Sequence, residues 1–140
     1  MDITIQYDCI NIDWNQVSDI LKAGEMPNFE GEVHKRAFEN SYAVVFVFVE
    51  DTLVGFGRAI SDGTYQAALY DVAVLPEYQG KQIGTVIVNS ILNILPQCNF
   101  ILYSAPGKEK FYKILNFRKM KTGMALFRDP ELMLTKGFTE

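Results

Sequence analysis

Two prolines, Pro76 and Pro96, bracket the segment that constrains this chain most. Before Pro76, residues 67–74 are apolar and read as a strand. Between the prolines, Ile83, Val86, Ile87, Ile91, Leu92 and Leu95 recur at helical spacing, which predicts an amphipathic helix over 83–94 that Pro96 closes. After Pro96, residues 100–103 form a short apolar strand. A strand, a helix and a strand in that order make a parallel crossover, and such crossovers are right-handed. The segments upstream are of the other kind. Residues 42–50 and 53–61 are rich in β-branched and aromatic side chains and meet at Asp51 and Thr52, and Asp62-Gly63 provides the next turn, so 42–74 reads as an antiparallel meander.

The remaining elements follow from periodicity. Ile3, Ile5 and Tyr7 alternate with polar residues as a first strand. A helix over 15–23 buries Val17, Ile20 and Leu21 and stops at Gly24. A second, over 31–38, is expected to turn Val33, Ala37 and Phe38 inward and to leave Glu32, His34, Lys35 and Arg36 in solvent. Residues 108–115 predict a short helix, and 118–120 with 124–128 a closing hairpin around Thr122-Gly123. The tail after Pro130 carries no strong signal. The fold class is α+β, a mixed and mostly antiparallel sheet flanked by helices.

At 140 residues the chain is expected to form one domain, 1–140, without disulfide or metal staples. A net charge of −4 argues against sequence-independent nucleic-acid binding, which needs a basic surface, and suits a cationic small molecule. The longest apolar run, 43–49, is far short of a membrane span. The N-terminus lacks a signal-peptide pattern, so cytoplasmic residence is the expectation. Cys9 and Cys98 lie in apolar stretches without CxxC spacing, which favours buried thiols over a disulfide or zinc site, and no metal is expected.

The turn between strand and helix holds Pro76, Gly80 and Gly84. Free backbone N–H groups and the helix dipole let such a turn hold a phosphate, although spacing alone weighs equally for a structural turn. The run Asp71-Val72-Ala73-Val74-Leu75-Pro76-Glu77-Tyr78-Gln79-Gly80-Lys81-Gln82-Ile83-Gly84-Thr85 resembles the acetyl-CoA motif of the GNAT N-acetyltransferases. Gln79 and Gly84 match that pattern, and Gln82 stands where it usually has glycine. A second segment, Phe111-Tyr112-Lys113-Ile114-Leu115-Asn116-Phe117, resembles the family's Phe-Tyr, variable pair, Leu-Gly-Phe, with Asn116 for glycine. The strand at Asp71-Val72, Tyr78-Gln79-Gly80 and Ser104-Ala105-Pro106-Gly107-Lys108 are most similar to the arylalkylamine (serotonin-type) branch of plants and microbes.

The resemblance implies acetyl-CoA as cosubstrate, with pyrophosphate on the amides of Gln79, Gly80, Lys81, Gln82, Ile83, Gly84 and Thr85. Backbone groups of Val72, Ala73 and Val74 would pair with the pantetheine arm, and Phe111 counts among the cofactor-binding residues. Restoring the family residue with Gln82→Gly is expected to keep CoA binding at the modest stability cost of a helix-start glycine. Direct transfer to an amine needs an oxyanion donor, for which a backbone N–H near Val74 is placed, and an acid for the departing thiolate. Tyr112 fits the acid, because a phenol of reference pKa about 10 stays protonated beside a thiol of about 8.5. Asp71, a carboxylate in an apolar strand, is the candidate base or water-positioner; its structural alternative is pairing with Arg58 on the neighbouring strand. Alternation would put Tyr70 and Asp71 on opposite faces, unless a bulge intervenes.

His34, among charged neighbours, reads as a solvated surface residue rather than a base. Trp14, Met26, Phe29 and Tyr70 are candidate substrate residues, with Tyr65 a further aromatic for that pocket, and packing into the core is their alternative. The acceptor is a small-molecule amine or a peptide amine. The alternative to catalysis is a sensor or interaction module of the same fold. A tail able to complete a partner's sheet leaves a homodimer open.

Overall fold

The computed structural model describes residues 1–140, which divide into two compact units, Met1–Leu102 and Tyr103–Glu140. In the first, five strands lie side by side in sequence order: β1 (Ile3–Gln6), β2 (Ala43–Val49), β3 (Thr52–Ser61), β4 (Gln66–Val74) and β5 (Asn99–Ile101). The first three pairings are antiparallel and the last is parallel. The parallel pair is joined by α3 (Ile83–Ile94), as the proline-bracketed segment predicts.

Helices α1 (Trp14–Ala23) and α2 (Gly31–Glu39) cover one face of the sheet. Asp13 caps α1 by accepting from the Asn15 and Gln16 amides, which satisfies donors that a helix start leaves open. Val17, Ile20 and Leu21 from α1 meet Phe38 from α2 and Phe46, Phe56 and Ala73 from the sheet. The Phe38 ring lies 5.5 Å from Phe46 and 5.7 Å, edge on, from Phe56. Full burial of such rings stabilises the fold by about 1.5–3 kcal/mol each. This anchor sets the rotation of α2 and corrects the sequence expectation. With Phe38 seated, the residue one turn earlier on the same stripe is His34, which is only 4 % exposed, while Val33 points outward at 44 %.

On the opposite face α3 approaches β3 at two glycines, Gly55 and Gly57. A Cβ at Gly57 would stand 2.9 Å from Ile87 Cγ2 and 3.2 Å from Ile91 Cδ1, and one at Gly55 would stand 2.9 Å from the Ala73 carbonyl oxygen. The helix packs closely because β3 presents hydrogen atoms there.

Only three residues of β4 pair with β5: Gln66 with Asn99, Ala67 with Phe100 and Ala68 with Ile101. From Leu69 to Val74 that edge of β4 has no ladder partner. No helix is long and apolar enough to cross a membrane. Cys9 and Cys98 are free thiols, both half-buried.

The second unit contains α4 (Glu109–Ile114) and α5 (Pro130–Thr135). Tyr112 packs edge on against Phe111 at 4.9 Å and Phe117 at 5.8 Å between ring centroids, and Tyr103 stands in the same way against Phe127 and Phe138. One expectation fails here. Residues 118–128 form no strand, and Met124 and Leu126 are 98 % and 85 % exposed. A two-stranded hairpin with nothing to bury its apolar face has little to hold it. The tail, in turn, is helical. Asp129 accepts the Leu132 amide at 3.1 Å and Pro130 occupies the first helical position, a cap signal that was present in the sequence.

Candidate active site

The turn leaving β4 is built on backbone geometry. The Leu75 amide donates to the Val54 carbonyl at 2.8 Å, which holds the end of β4 against β3. Pro76–Tyr78 then form one 3-10 turn, and the Gln79 side chain reaches back to donate to the Val74 carbonyl at 3.2 Å. Two left-handed residues follow, Gly80 at φ +77° and Gln82 at φ +68°. A Cβ at Gly80 would meet nothing within 4 Å, so space is open above it.

Gln82 is the residue flanking α3, and its side chain makes no capping bond. The first intrahelical bond runs from the Val86 amide to the Gln82 carbonyl at 3.0 Å. The amides of Ile83, Gly84 and Thr85 precede it and gather at the positive end of a 12-residue helix. This arrangement can hold a phosphate without a cationic side chain. Lys81 is directed elsewhere in the same turn, its Nζ lying 5.5 Å from the centre of the Tyr78 ring.

The left-handed backbone at Gln82 explains why glycine suits this position. It also overturns the expected stability cost of Gln82→Gly, since a non-glycine residue there is already strained. Asn116, the other departure from the family pattern, sits at φ +73°.

Next to the turn, β4 carries a bulge. Its register with β3 passes from Phe56↔Ala73 to Arg58↔Tyr70, so Asp71 and Val72 together face Gly57. Asp71 itself adopts φ +57°. The extra residue breaks alternation. Arg58 lies over the Tyr70 ring at 5.4 Å and donates through Nε to Asp71 Oδ2 at 2.7 Å, so both side chains meet it on the α1/α2 face. Val72 turns to the α3 face, where its Cγ2 would be 3.2 Å from a Cβ on Gly57. Arg58 is also stacked over Phe38 at 5.7 Å, and its Nη1 donates to Ser41 Oγ at 3.2 Å. With side-chain exposures of 15 % and 24 %, the Arg58–Asp71 pair is largely shielded from solvent. The structural partner named for Asp71 from the sequence is therefore present. Ser41, which completes the network, carried no sequence signal.

The candidate substrate residues separate. Tyr70 is half-buried beside Arg58. Trp14 packs against Phe38 and Phe46 with ring centroids 5.6 and 6.0 Å apart, and Met26 also lies against the core. Phe29 is 57 % exposed, and Tyr65 is exposed on the turn before β4. An open cleft of about 650 Å³ runs along the starts of α1 and α2, with Trp14, Ser18, Asp19, Glu30 and Glu32 among its walls. It includes no residue of the 71–85 segment, so it is separate from the turn before α3. In the second unit, burial raises the pKa of the Tyr112 phenol above its ordinary value.

The bulged strand, open on one edge and running into an amide-rich helix start, lies in the segment that resembles the acetyl-CoA motif. The family model for the acetyltransferase (GNAT) family matches residues 8–117. The chain belongs to the GNAT family. It is 30 % identical over 113 residues to GCN5-related N-acetyltransferase 1, chloroplastic, of Arabidopsis thaliana, covering 77 % of this chain and 56 % of that protein. It is 28 % identical to serotonin N-acetyltransferase 2, chloroplastic, of Oryza sativa over 130 residues, covering 84 % of this chain and 64 % of the relative. Among solved structures, a probable acetyltransferase of Staphylococcus aureus superposes with a TM-score of 0.79 at 23 % identity, covering 90 % of this chain and 99 % of the other. That likeness concerns the fold. The chain spans about half the length of several curated relatives it matches, 56 %, 50 % and 56 % in three of them.

Proposed function

We propose that this chain is an acetyl-CoA-dependent N-acetyltransferase that moves the acetyl group directly to a primary amine within a ternary complex. The observation that carries the reading is the cluster of free amides at the start of α3, beside a strand whose outer edge is unpaired from Leu69 to Val74. The turn supplies donors for the pyrophosphate, and the strand edge supplies backbone partners for the amide groups of the pantetheine arm. The family match runs from residue 8 to residue 117 and so crosses the division between the two compact units, which favours treating 1–140 as one functional domain.

In this reading an amide near Val74 stabilises the oxyanion of the thioester, and Tyr112 returns a proton to the CoA thiolate. Burial supports that role, because a phenol with a raised pKa carries its proton throughout the neutral range. Asp71 acts as base or water-positioner. One of its oxygens is held by Arg58, so proton acceptance falls to the other, Oδ1, directly or through a water. Tyr70, beside Arg58, and the exposed Phe29 are the acceptor-side residues, while Trp14 and Met26 serve the core. The chain's net charge of −4 and the similarity to a serotonin N-acetyltransferase favour a small cationic amine over a nucleic-acid-bound acceptor.

The test is release of free CoA from acetyl-CoA with a panel of tryptamine, spermidine, lysine and a short peptide, alongside titration calorimetry with CoA. Turnover of a panel amine with tight CoA binding is the expected result. CoA binding without turnover on any amine would leave a sensor of acetyl-CoA. No CoA binding would remove the phosphate assignment itself.

A further inference from the structure

His34 is the one buried polar side chain of the core, and no step of the proposed transfer uses it. Its Nε2 accepts the Phe29 amide at 2.9 Å, and its ring lies 5.6 Å from the Phe29 ring. The other polar group of the Phe29 backbone is held as well, since Ser18 Oγ donates to its carbonyl at 2.6 Å. The connection between α1 and α2 is therefore pinned at one residue by a side chain from each helix. The Phe29 side chain remains largely exposed, so the two bonds fix a presented ring rather than a core residue.

We propose that His34 is a positioning residue for acceptor binding: its neutral ring latches Phe29, and protonation releases the latch and weakens acceptor capture. This rests on the reading above that Phe29 belongs to the acceptor side. An amide N–H can donate only to an unprotonated nitrogen, so the bond requires the proton on Nδ1. A proton on Nε2 would leave two donors opposed, with Phe29 losing its partner.

The surroundings favour the neutral ring. Burial is the largest influence and lowers the His34 pKa; Asp71 from β4 raises it, and Arg58 from β3 lowers it, these two being ion-paired with each other. From α1, the neutral Ser18 holds the Phe29 carbonyl beside the ring. On its own helix, Glu32 and Arg36 are exposed and Lys35 is half-buried. The sign follows directly. Because the folded pKa lies below the unfolded value of about 6.5, the latch is complete above that pH and is lost as pH falls toward the folded value.

Two measurements on the full chain decide the proposal. The first is a ¹⁵N–¹H titration without substrates, following the Phe29 amide and the His34 ring from pH 8 downward. The Phe29 signal should move with the same midpoint as the ring and should not titrate in His34→Gln, whose carboxamide oxygen can accept the same bond at any pH. A ring that titrates without Phe29, or that stays neutral until the whole chain unfolds, overturns the switch whether or not an acceptor is known. The second compares acceptor KM for wild type and His34→Gln from pH 7.5 down through the ring midpoint that the titration reads. The ratio of the two cancels the titration of the amine itself. Wild-type KM should rise relative to His34→Gln only as pH falls through the midpoint of the ring, approaching about tenfold once the ring is protonated, the effect of one lost hydrogen bond on a presented loop, with CoA affinity unchanged. His34→Phe should show the high KM at every pH. A constant ratio between wild type and His34→Gln would overturn the link to acceptor binding. Failure of every panel amine would instead reject the acetyltransferase reading and leave the Phe29 titration to judge the latch.

Discussion

Gln82→Gly separates backbone strain from side-chain contact in the turn before α3. Gln82 sits at φ +68°, is exposed, and makes no capping bond, so its removal deletes no contact. A left-handed backbone costs a residue with a Cβ about 1–2 kcal/mol, and glycine escapes that cost. Against this, glycine gives up about 0.5–1 kcal/mol because it has more freedom to lose on folding. The difference favours the variant by about 0.5–1 kcal/mol, which for a chain of this size raises Tm by about 2–3 °C. Were φ negative, the same substitution would lower Tm by a similar amount, so the sign alone discriminates. The assay is thermal and urea unfolding of wild type and variant, paired with calorimetric titration of CoA. CoA affinity should be equal or tighter, because the amides of Ile83, Gly84 and Thr85 remain in place and the approach to them is less crowded. A fall in Tm of about 2 °C or more would refute the strain assignment. A large loss of CoA affinity with unchanged stability would show that the Gln82 carboxamide itself binds the cofactor.

Tyr112→Phe deletes one hydroxyl and keeps the ring against Phe111 and Phe117; single-turnover transfer should slow by roughly 10² to 10⁴, less at low pH where solvent acid substitutes, with CoA affinity little changed. A variant as fast as wild type across the pH series would make Tyr112 a packing residue. Gly84→Trp should weaken CoA binding far more than it weakens folding, because the indole would fill the space in front of the helix start; equal CoA affinity by titration would remove the cradle. Arg58→Leu leaves Asp71 without its partner in a largely shielded site and strips Ser41 of the Nη1 bond, so urea unfolding should report a loss of about 1–3 kcal/mol. Stability within error of wild type would mean that solvent replaces the pair at no cost.

The order of elements up to residue 115, the parallel crossover and the glycine-containing turn before α3 were legible in the sequence because each rests on local rules: prolines that end segments, apolar stripes at helical or alternating spacing, and glycines between a strand and a helix. The helix over 83–94 and the hairpin at Asp51 and Thr52 needed no tertiary information. An overlooked cap, Asp129 before Pro130, was legible on the same grounds. Tertiary structure decided what local rules leave open. Whether Tyr70 and Asp71 share a face depends on a bulge, which arises from how two strands are held in register and not from either strand alone. Which stripe of the second helix turns inward depends on the pocket that receives Phe38, and that choice buried His34 against the expectation drawn from its charged neighbours. Residues 118–128 have the composition of a hairpin and do not form one, because ladder formation depends on a surface against which the strands can bury a face. Periodicity records which residues a chain can bury together, and packing selects among those sets by what each finds on the other side.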